Sequence, residues 1–187
     1  MNFSAVILAG GKSSRMGRDK AFLEICGRRL LARQVEMVRD AGAGEILISG
    51  RANADYSTFN CRLVRDKFAG AGPLAGIERA LAAAAAPLVL VLAVDLPKMT
   101  AGFLRQAFSR CTESTGVIPR IADKLEPLAA FYPKTAHPVA EKMLNRNSCA
   151  VKDFAGECVQ SGLAVLVDFA GVNPAIFKNC NSPADLA

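Results

Sequence analysis

The sequence feature that most constrains the fold is a short apolar segment that ends at paired glycines near the N-terminus. Residues 3 to 8 form a nearly continuous apolar run, and Gly10 and Gly11 follow almost at once. Such a run is typical of a buried strand in a parallel sheet, because helices cover both faces of that strand. The sequence therefore predicts that the chain starts with an inner strand followed by a glycine-containing loop.

Strand and helix patterns alternate along the rest of the chain. Residues 88 to 92 form the most apolar segment and are expected to be a central strand. The predicted strands lie at residues 3–8, 45–49, 61–65, 88–92, 116–119, 126–132 and 163–167, and the predicted helices lie at 28–41, 73–86, 100–110, 134–145 and 149–155. This alternation predicts a three-layer α/β fold with a doubly wound, mostly parallel sheet. In such folds, ligands bind at the carboxyl ends of the strands.

Length and hydropathy limit the organisation of the chain. A length of 187 residues suits one domain, so we expect residues 1–187 to fold as a single unit. The N-terminal residues lack the basic segment of a secretory signal, and the longest apolar run, residues 80 to 94, is shorter than the roughly twenty residues that span a bilayer. We therefore expect a cytoplasmic protein without a membrane partner.

The cysteines and the charge restrict the partners. Six scattered cysteines include no C-x-x-C pair, and His137 is the single histidine, so we do not expect a zinc or iron–sulfur site. We interpret the cysteines as reduced thiols and His137 as structural. The formal charge of +6 favours anionic partners, which include phosphorylated small molecules, acidic proteins and nucleic acids. The basic residues are spread along the chain with only two tyrosines and no tryptophan, rather than forming a basic stripe interleaved with aromatic residues, so we do not expect nucleic-acid binding.

The loop after the first strand has the composition of a polyphosphate site. The segment from residue 8 to residue 20 reads LAGGKSSRMGRDK. Its adjacent glycines allow backbone N–H groups to approach phosphate oxygens, and its cations are Lys12, Arg15, Arg18 and Lys20. The loop matches neither the P-loop nor the dinucleotide pattern, since those would need glycine in place of Val6 or of Lys12. A solvated basic turn is the alternative interpretation.

Two aspartates are candidates for the rest of the site. Asp95 follows the predicted central strand, where its carboxylate would enter the ligand crevice and bind Mg²⁺ together with phosphate oxygens; a helix N-cap is the alternative. Asp66 precedes the glycine-containing segment 70–76, which leads into a helix begun by Pro73 and would form the wall of a base or sugar pocket. A plain turn before a helix is the alternative for this second segment.

Five motifs occur in order along the whole chain and together resemble one family. They are the LAGGKSSRMGRDK loop, GPLAG, VDLP, EPLAAFYP and the closing NCNSPADL. The chain resembles the molybdenum-cofactor guanylyltransferases, the MobA-like family of the nucleotidyltransferase superfamily. The first motif alone would indicate only the superfamily, and the last one narrows the resemblance. It implies a Rossmann-like nucleotidyltransferase fold and transfer of GMP from GTP to molybdopterin or its molybdenum form, with release of pyrophosphate.

The resemblance also implies residue roles. The residues expected around the nucleotide are Leu8, Ala9, Gly10, Gly11, Lys20, Asp66 and Asp95. Asp95 would bind Mg²⁺, and Arg15 would lie beside the phosphates, which makes Arg15, Lys20 and Asp95 the catalytic candidates. Asn179 and Asn181 match the C-terminal pair on the pterin side. The family tends to have asparagine just after the second strand, whereas this chain reads SGRAN at residues 49–53, so a CTP preference stays open.

We expect in-line attack of the acceptor phosphate on the α-phosphorus without a covalent enzyme intermediate. Partners implied by the resemblance are GTP, molybdopterin or molybdenum cofactor, and recipient molybdoenzymes or their chaperones. Two alternatives remain open. One is a cytidylyl- or sugar-1-phosphate nucleotidyltransferase, and the other is a non-catalytic nucleotide-binding delivery protein.

Overall fold

The computed structural model describes residues 1–10, 20–25, 27–51, 53–68 and 70–180. Its strands are β1 (Phe3–Leu8), β2 (Glu24–Ile25), β3 (Arg28–Arg29), β4 (Glu45–Ser49), β5 (Arg62–Val64), β6 (Leu88–Ala93), β7 (Gly116–Ile121), β8 (Lys124–Leu125), β9 (Ala129–Pro133) and β10 (Ala164–Asp168). Its helices are α1 (Leu30–Asp40), α2 (Pro73–Ala83), α3 (Ala101–Phe108), α4 (His137–Asn145) and α5 (Val151–Gln160). Short 3-10 turns cover Lys20–Phe22, Ser57–Phe59, Lys134–Ala136 and Pro174–Phe177.

One mixed sheet organises these elements. The strand order is β10-β7-β9-β6-β1-β4-β5, with the two-residue β8 on β7, and β2 and β3 form a separate ribbon. Strands β1, β4, β5 and β6 are mutually parallel, and β7 is parallel to β10. Strand β9 runs antiparallel to both β6 and β7, so the sheet is mostly, not entirely, parallel. The predicted α/β doubly wound fold is confirmed.

Both faces of the inner strands are buried, as their continuous apolar sequences require. In β6, Leu88, Leu90 and Leu92 pack into one core, whereas Val89 and Val91 pack into the other. Helices α1 and α3 contribute to the first core, and α2, α4 and α5 contribute to the second. This two-sided burial produces the three layers and explains why β6, predicted to be central, lies between β1 and β9.

Local sequence signals begin two of the helices. Helix α2 begins with Pro73, whose missing N–H costs nothing in the first turn, and the preceding Gly72 has a φ of +68° that glycine adopts without strain. Helix α3 is capped by Thr100, whose side-chain oxygen accepts a hydrogen bond from the Phe103 N–H at 3.2 Å. Within the part of the chain that is described, no helix is both long and apolar enough to cross a membrane.

The end of α2 differs from the predicted boundary at residue 86. The helix ends at Ala83, and the chain turns away because tertiary partners take over its backbone donors. Ala85 N–H donates to the Glu45 carboxylate at 2.8 Å, and Ala86 N–H donates to the buried Ser4 hydroxyl at 3.1 Å. Helix α5 extends to Gln160, five residues beyond the prediction, and β9 begins at Ala129 rather than at residue 126.

Candidate active site

The candidate site lies at the carboxyl ends of β1, β4 and β6. The Ala9 N–H donates to Ser49 O at 2.7 Å, and the Val94 N–H donates to Leu8 O at 3.2 Å, so these three strand ends are held together. The strand order reverses here, because β4 lies on one side of β1 and β6 lies on the other. In open α/β sheets this reversal opens the crevice in which ligands bind.

Asp95 lies directly beyond β6 and is joined to the C-terminal segment. Its side chain is half-buried, and its carbonyl oxygen accepts a hydrogen bond from the Cys180 N–H at 2.8 Å. Asn179 precedes Cys180 and is exposed, so the C-terminal segment reaches the same edge of the sheet as Asp95. The structure therefore brings together two candidates that are 84 residues apart in the sequence.

Asp66 follows β5 and is positioned by Ser49. The Ser49 hydroxyl, at the end of β4, donates a hydrogen bond to Asp66 Oδ1 at 3.2 Å. Although Asp66 as a residue is exposed, partial desolvation of its carboxylate raises its pKa. The hydrogen bond from Ser49 lowers the pKa, and the negative charge of Glu78 raises it further. The ionised form of this carboxylate is therefore disfavoured in the folded protein, and a perturbed carboxylate in a crevice is a candidate functional group.

Gly10 has no packing reason to be a glycine among the described residues. Of the atoms that the structure describes, the three nearest to a Cβ at this position are backbone atoms of Gly50 and Ser49, and they begin at 3.8 Å, an ordinary van der Waals distance. Gly10 is exposed and lies at the mouth of the crevice. The absence of a side chain there would allow a ligand to approach the backbone closely, as the predicted role of Gly10 requires.

Gly76 packs helix α2 against the floor of the crevice. A Cβ on Gly76 would overlap the Ser49 hydroxyl and would lie 2.9 Å from Leu8 Cδ2. Only glycine lets α2 approach the ends of β1 and β4 this closely, and the approach fixes Ser49, which in turn orients Asp66. The GPLAG motif therefore has a packing role in addition to the pocket role predicted for it.

The predicted site residues fall into two groups. Leu8, Ala9, Gly10 and Asp95 meet at the crevice, with Asp66 on its β5 side and Asn179 beside the Asp95 segment. Gly11, Arg15 and Asn181 lie outside the described residues, and the Lys20 side chain is outside the description as well. The roles of all these residues in binding and catalysis remain predictions.

Two buried polar residues near the site were missed by the sequence reasoning. Ser49, which orients Asp66, was interpreted only as part of a strand. Gln34 of α1 is buried, and its amide donates to Leu96 O at 2.7 Å, which supports the segment after Asp95. The sequence carried a signal for both residues, because each is a polar residue at an otherwise apolar strand end or helix face. Such a residue is expected to be buried only where it has a hydrogen-bond partner.

A doubly wound sheet with a glycine loop and an aspartate at its switch point is the arrangement typical of ligand-binding α/β proteins. The chain belongs to the MobA-like NTP transferase domain family, which matches residues 5–157. This match confirms two predictions from the sequence, that the chain belongs to the MobA-like family and that it is a nucleotidyltransferase. A protein of Opitutus terrae named a probable molybdenum cofactor guanylyltransferase is 40% identical over 185 residues, which cover 97% of this chain and 92% of that protein.

Two solved structures share the fold at lower identity. Molybdopterin-guanine dinucleotide biosynthesis protein A from Archaeoglobus fulgidus has a TM-score of 0.76 and 22% identity, covering 98% of this chain and 94% of its own. The 2-C-methyl-D-erythritol 4-phosphate cytidylyltransferase from Thermus thermophilus has a TM-score of 0.73 and 23% identity, and the match covers 100% of this chain and 96% of that chain. The predicted nucleotidyltransferase fold is therefore shared by proteins whose names specify different nucleotides.

Proposed function

We propose that this protein transfers GMP from GTP to the terminal phosphate of molybdopterin or molybdenum cofactor and releases pyrophosphate. The observation that carries the proposal is the crevice itself, where the exposed Gly10 backbone and the strand-end carboxylate of Asp95 lie at the switch point of the sheet. The relatives named probable molybdenum cofactor guanylyltransferases support GTP as the nucleotide and molybdenum cofactor as the acceptor.

The chain's own groups perform positioning and charge neutralisation. The backbone from Leu8 to Gly10 would contact the nucleotide on its base side, and Gly11 would also contact the nucleotide. Arg15 and Lys20 would balance the charge that develops as pyrophosphate leaves. The acceptor phosphate is already ionised at neutral pH, so no general base is required. Positioning the acceptor oxygen in line with the α-phosphorus is the main task of the protein.

The donor set at Asp95 fits Mg²⁺. A half-buried carboxylate at a strand end offers the hard oxygen ligand that Mg²⁺ prefers, while leaving room for water and phosphate oxygens. When bound, Mg²⁺ would neutralise phosphate charge. Asp66 would contact the nucleotide from the β5 side, where the hydrogen bond from Ser49 fixes its orientation.

The acceptor would lie toward the C-terminal segment. Asn179 and Asn181 would contact the pterin, and the hydrogen bond between Cys180 N–H and Asp95 O keeps that segment beside the nucleotide side of the crevice. The recipient molybdoenzymes or their chaperones would be protein partners that take over the product.

A second candidate function is transfer of a cytidylyl group, which stays open because residues 49–53 read SGRAN where the family tends to have asparagine. The fold does not separate the two, since the Thermus thermophilus cytidylyltransferase shares it. Calorimetric titration with GTP, CTP, ATP and UTP in the presence of Mg²⁺ separates the two. Selective GTP binding that is lost in Asp95→Ala supports the guanylyl assignment. A preference for CTP moves the protein to the cytidylyl enzymes, and binding without pyrophosphate release in the presence of acceptor indicates a delivery protein.

A further inference from the structure

A second cluster of ligand-type side chains lies between helices α2 and α4. Glu78 comes from α2, and His137 and Glu141 come from α4. One potential metal-binding atom from each of the three lies within 4.8 Å of those of the other two. His137 and Glu141 are four residues apart and so face the same side of their helix, toward α2. None of the three belongs to the residues proposed to bind the nucleotide or the acceptor.

Glu78 is a buried carboxylate that the protein satisfies only in part. Its side chain has no exposed surface, and its Oε1 lies 2.8 Å from His137 Nε2. Within the described part of the chain, its other oxygen, Oε2, is buried and has no hydrogen-bond partner. The Arg79 Nη1 atom lies 3.8 Å from Oε1, beyond hydrogen-bonding distance. A buried carboxylate oxygen without a partner opposes folding, so Oε2 is expected to have a further partner, and a bound cation would supply one.

The charges of the cluster also favour a cation. The Arg79 guanidinium forms an ion pair with Glu78 Oε1, so the two carboxylates, Arg79 and His137 carry a net charge of −1 when the imidazole is neutral and 0 when it is protonated. Neither Arg79 nor His137 reaches Glu78 Oε2, which stays without a hydrogen-bond partner among the described residues. A divalent cation would compensate both carboxylates and would give the free Glu78 oxygen a partner.

We propose that Glu78, His137 and Glu141 bind a divalent transition-metal cation, and that Zn²⁺ is the ion best suited to them. Imidazole nitrogen combined with carboxylate oxygen is a usual ligand set for Zn²⁺, whereas Mg²⁺ prefers oxygen ligands alone. The cation would join α2 to α4, and it would enter from the surface because His137 retains 26% of its side-chain exposure and Glu141 is half-buried.

The distances suit such a site after a small adjustment. Tetrahedral zinc–ligand bonds of about 2.0–2.2 Å place neighbouring ligand atoms about 3.3–3.6 Å apart. The Glu78 Oε1 and His137 Nε2 atoms, which lie 2.8 Å apart, would separate by about 0.5–0.8 Å to take up a cation between them. The Glu141 carboxylate, within 4.8 Å of the other two, would close the remaining gap through rotation of a half-buried side chain.

The test is titration of the full-length, reduced protein with Co²⁺, a spectroscopic substitute for Zn²⁺, in excess Mg²⁺ and without nucleotide. We expect weak visible bands typical of nitrogen and oxygen ligands, and at least about a tenfold loss of affinity in Glu141→Gln, since even indirect ligand support contributes that much. The matched control is Asp153→Asn on the neighbouring helix α5, an exposed carboxylate that should leave Co²⁺ affinity unchanged.

A second measurement protects the test against a variant that folds poorly. Zn²⁺ should raise the thermal midpoint of the wild type and of Asp153→Asn, and should raise it much less in Glu141→Gln. Equal Co²⁺ affinity in wild type and Glu141→Gln would overturn the proposal, as would the intense near-ultraviolet bands of cysteine ligation or the absence of Co²⁺ binding.

Discussion

Replacement of Gly76 by alanine should destabilise the protein, although alanine is the better helix former. The new Cβ would overlap the Ser49 hydroxyl and would lie 3.0 Å from Ser49 Cβ and 2.9 Å from Leu8 Cδ2. Overpacking of this kind typically costs about 1–3 kcal/mol. The gain in helix propensity offsets about 1 kcal/mol of that cost, so the expected net loss is about 0–2 kcal/mol.

Gly156→Ala is the matched control for this prediction. Gly156 lies within helix α5, and a Cβ there would meet nothing within 4 Å. Gly156→Ala should therefore show only the gain in helix propensity, which would raise the free energy of unfolding by about 0.5–1 kcal/mol. Because one kcal/mol shifts the thermal midpoint of a chain of this size by about 2–4 °C, the two variants should be separated by several degrees.

Thermal and urea unfolding of both variants measure this difference, and GTP titration measures its functional consequence. Displacement of Ser49 should break its hydrogen bond to Asp66 and weaken nucleotide binding in Gly76→Ala but not in Gly156→Ala. Equal stabilisation of both variants would refute the inference that α2 lies in tight contact with the ends of β1 and β4.

Three further predictions concern stability and pH. Burial would raise the pKa of Glu45, but hydrogen bonds from the Ala85 N–H, Ser4 and Arg62 lower it below 4.5. The stability that these hydrogen bonds give the folded protein should therefore be lost as the pH falls below 4.5. In urea unfolding, Glu45→Gln should reduce the free energy of unfolding by about 1 kcal/mol at pH 7 and should weaken this acid dependence. Because the pKa of Asp66 is raised in the folded state, ionisation of its carboxyl group opposes folding at pH 7. Asp66→Asn should therefore raise the thermal midpoint of the ligand-free protein at pH 7 but not at pH 3, and calorimetry should show weaker GTP binding by this variant. Gly50→Ala should lose about 1–3 kcal/mol in urea unfolding, because its Cβ would overlap the buried Tyr56 ring.

Much of the fold could be predicted because its inner strands have both faces buried. A strand such as β6 must be apolar at every position, and that requirement is visible in the sequence without knowledge of its neighbours. The reversed direction of β9 could not be predicted in the same way. It depends on pairing with β6 and β7, and the local sequence of a strand does not specify the direction of its partners.

The end of α2 illustrates the same limit at a helix. The alanine run from residue 82 to 86 has high helix propensity, yet the helix ends at Ala83 because Glu45 and Ser4, about 40 and 80 residues away, accept the next backbone N–H groups. Propensity describes only local preferences, and these tertiary hydrogen bonds outweigh it.

The candidate site was predicted in part from chemistry and in part from resemblance. The glycines after β1 and the aspartate after β6 were recognisable because strand-end residues of a doubly wound sheet share one edge. The proximity of the C-terminal segment to Asp95 depends on the hydrogen bond between Cys180 and Asp95, which no periodic pattern indicates. Motif resemblance alone had suggested that Asn179 belongs to the site.

The most direct test of the proposed function is product analysis after incubation of the protein with Mg²⁺, molybdopterin and GTP labelled at the α-phosphate, with CTP in a parallel reaction. The proposal predicts that the label enters a molybdopterin guanine dinucleotide, that pyrophosphate is released in equal amount, and that both are lost in Asp95→Ala while that variant still unfolds cooperatively. Labelled product from CTP in preference to GTP, or unchanged turnover in folded Asp95→Ala, would contradict it.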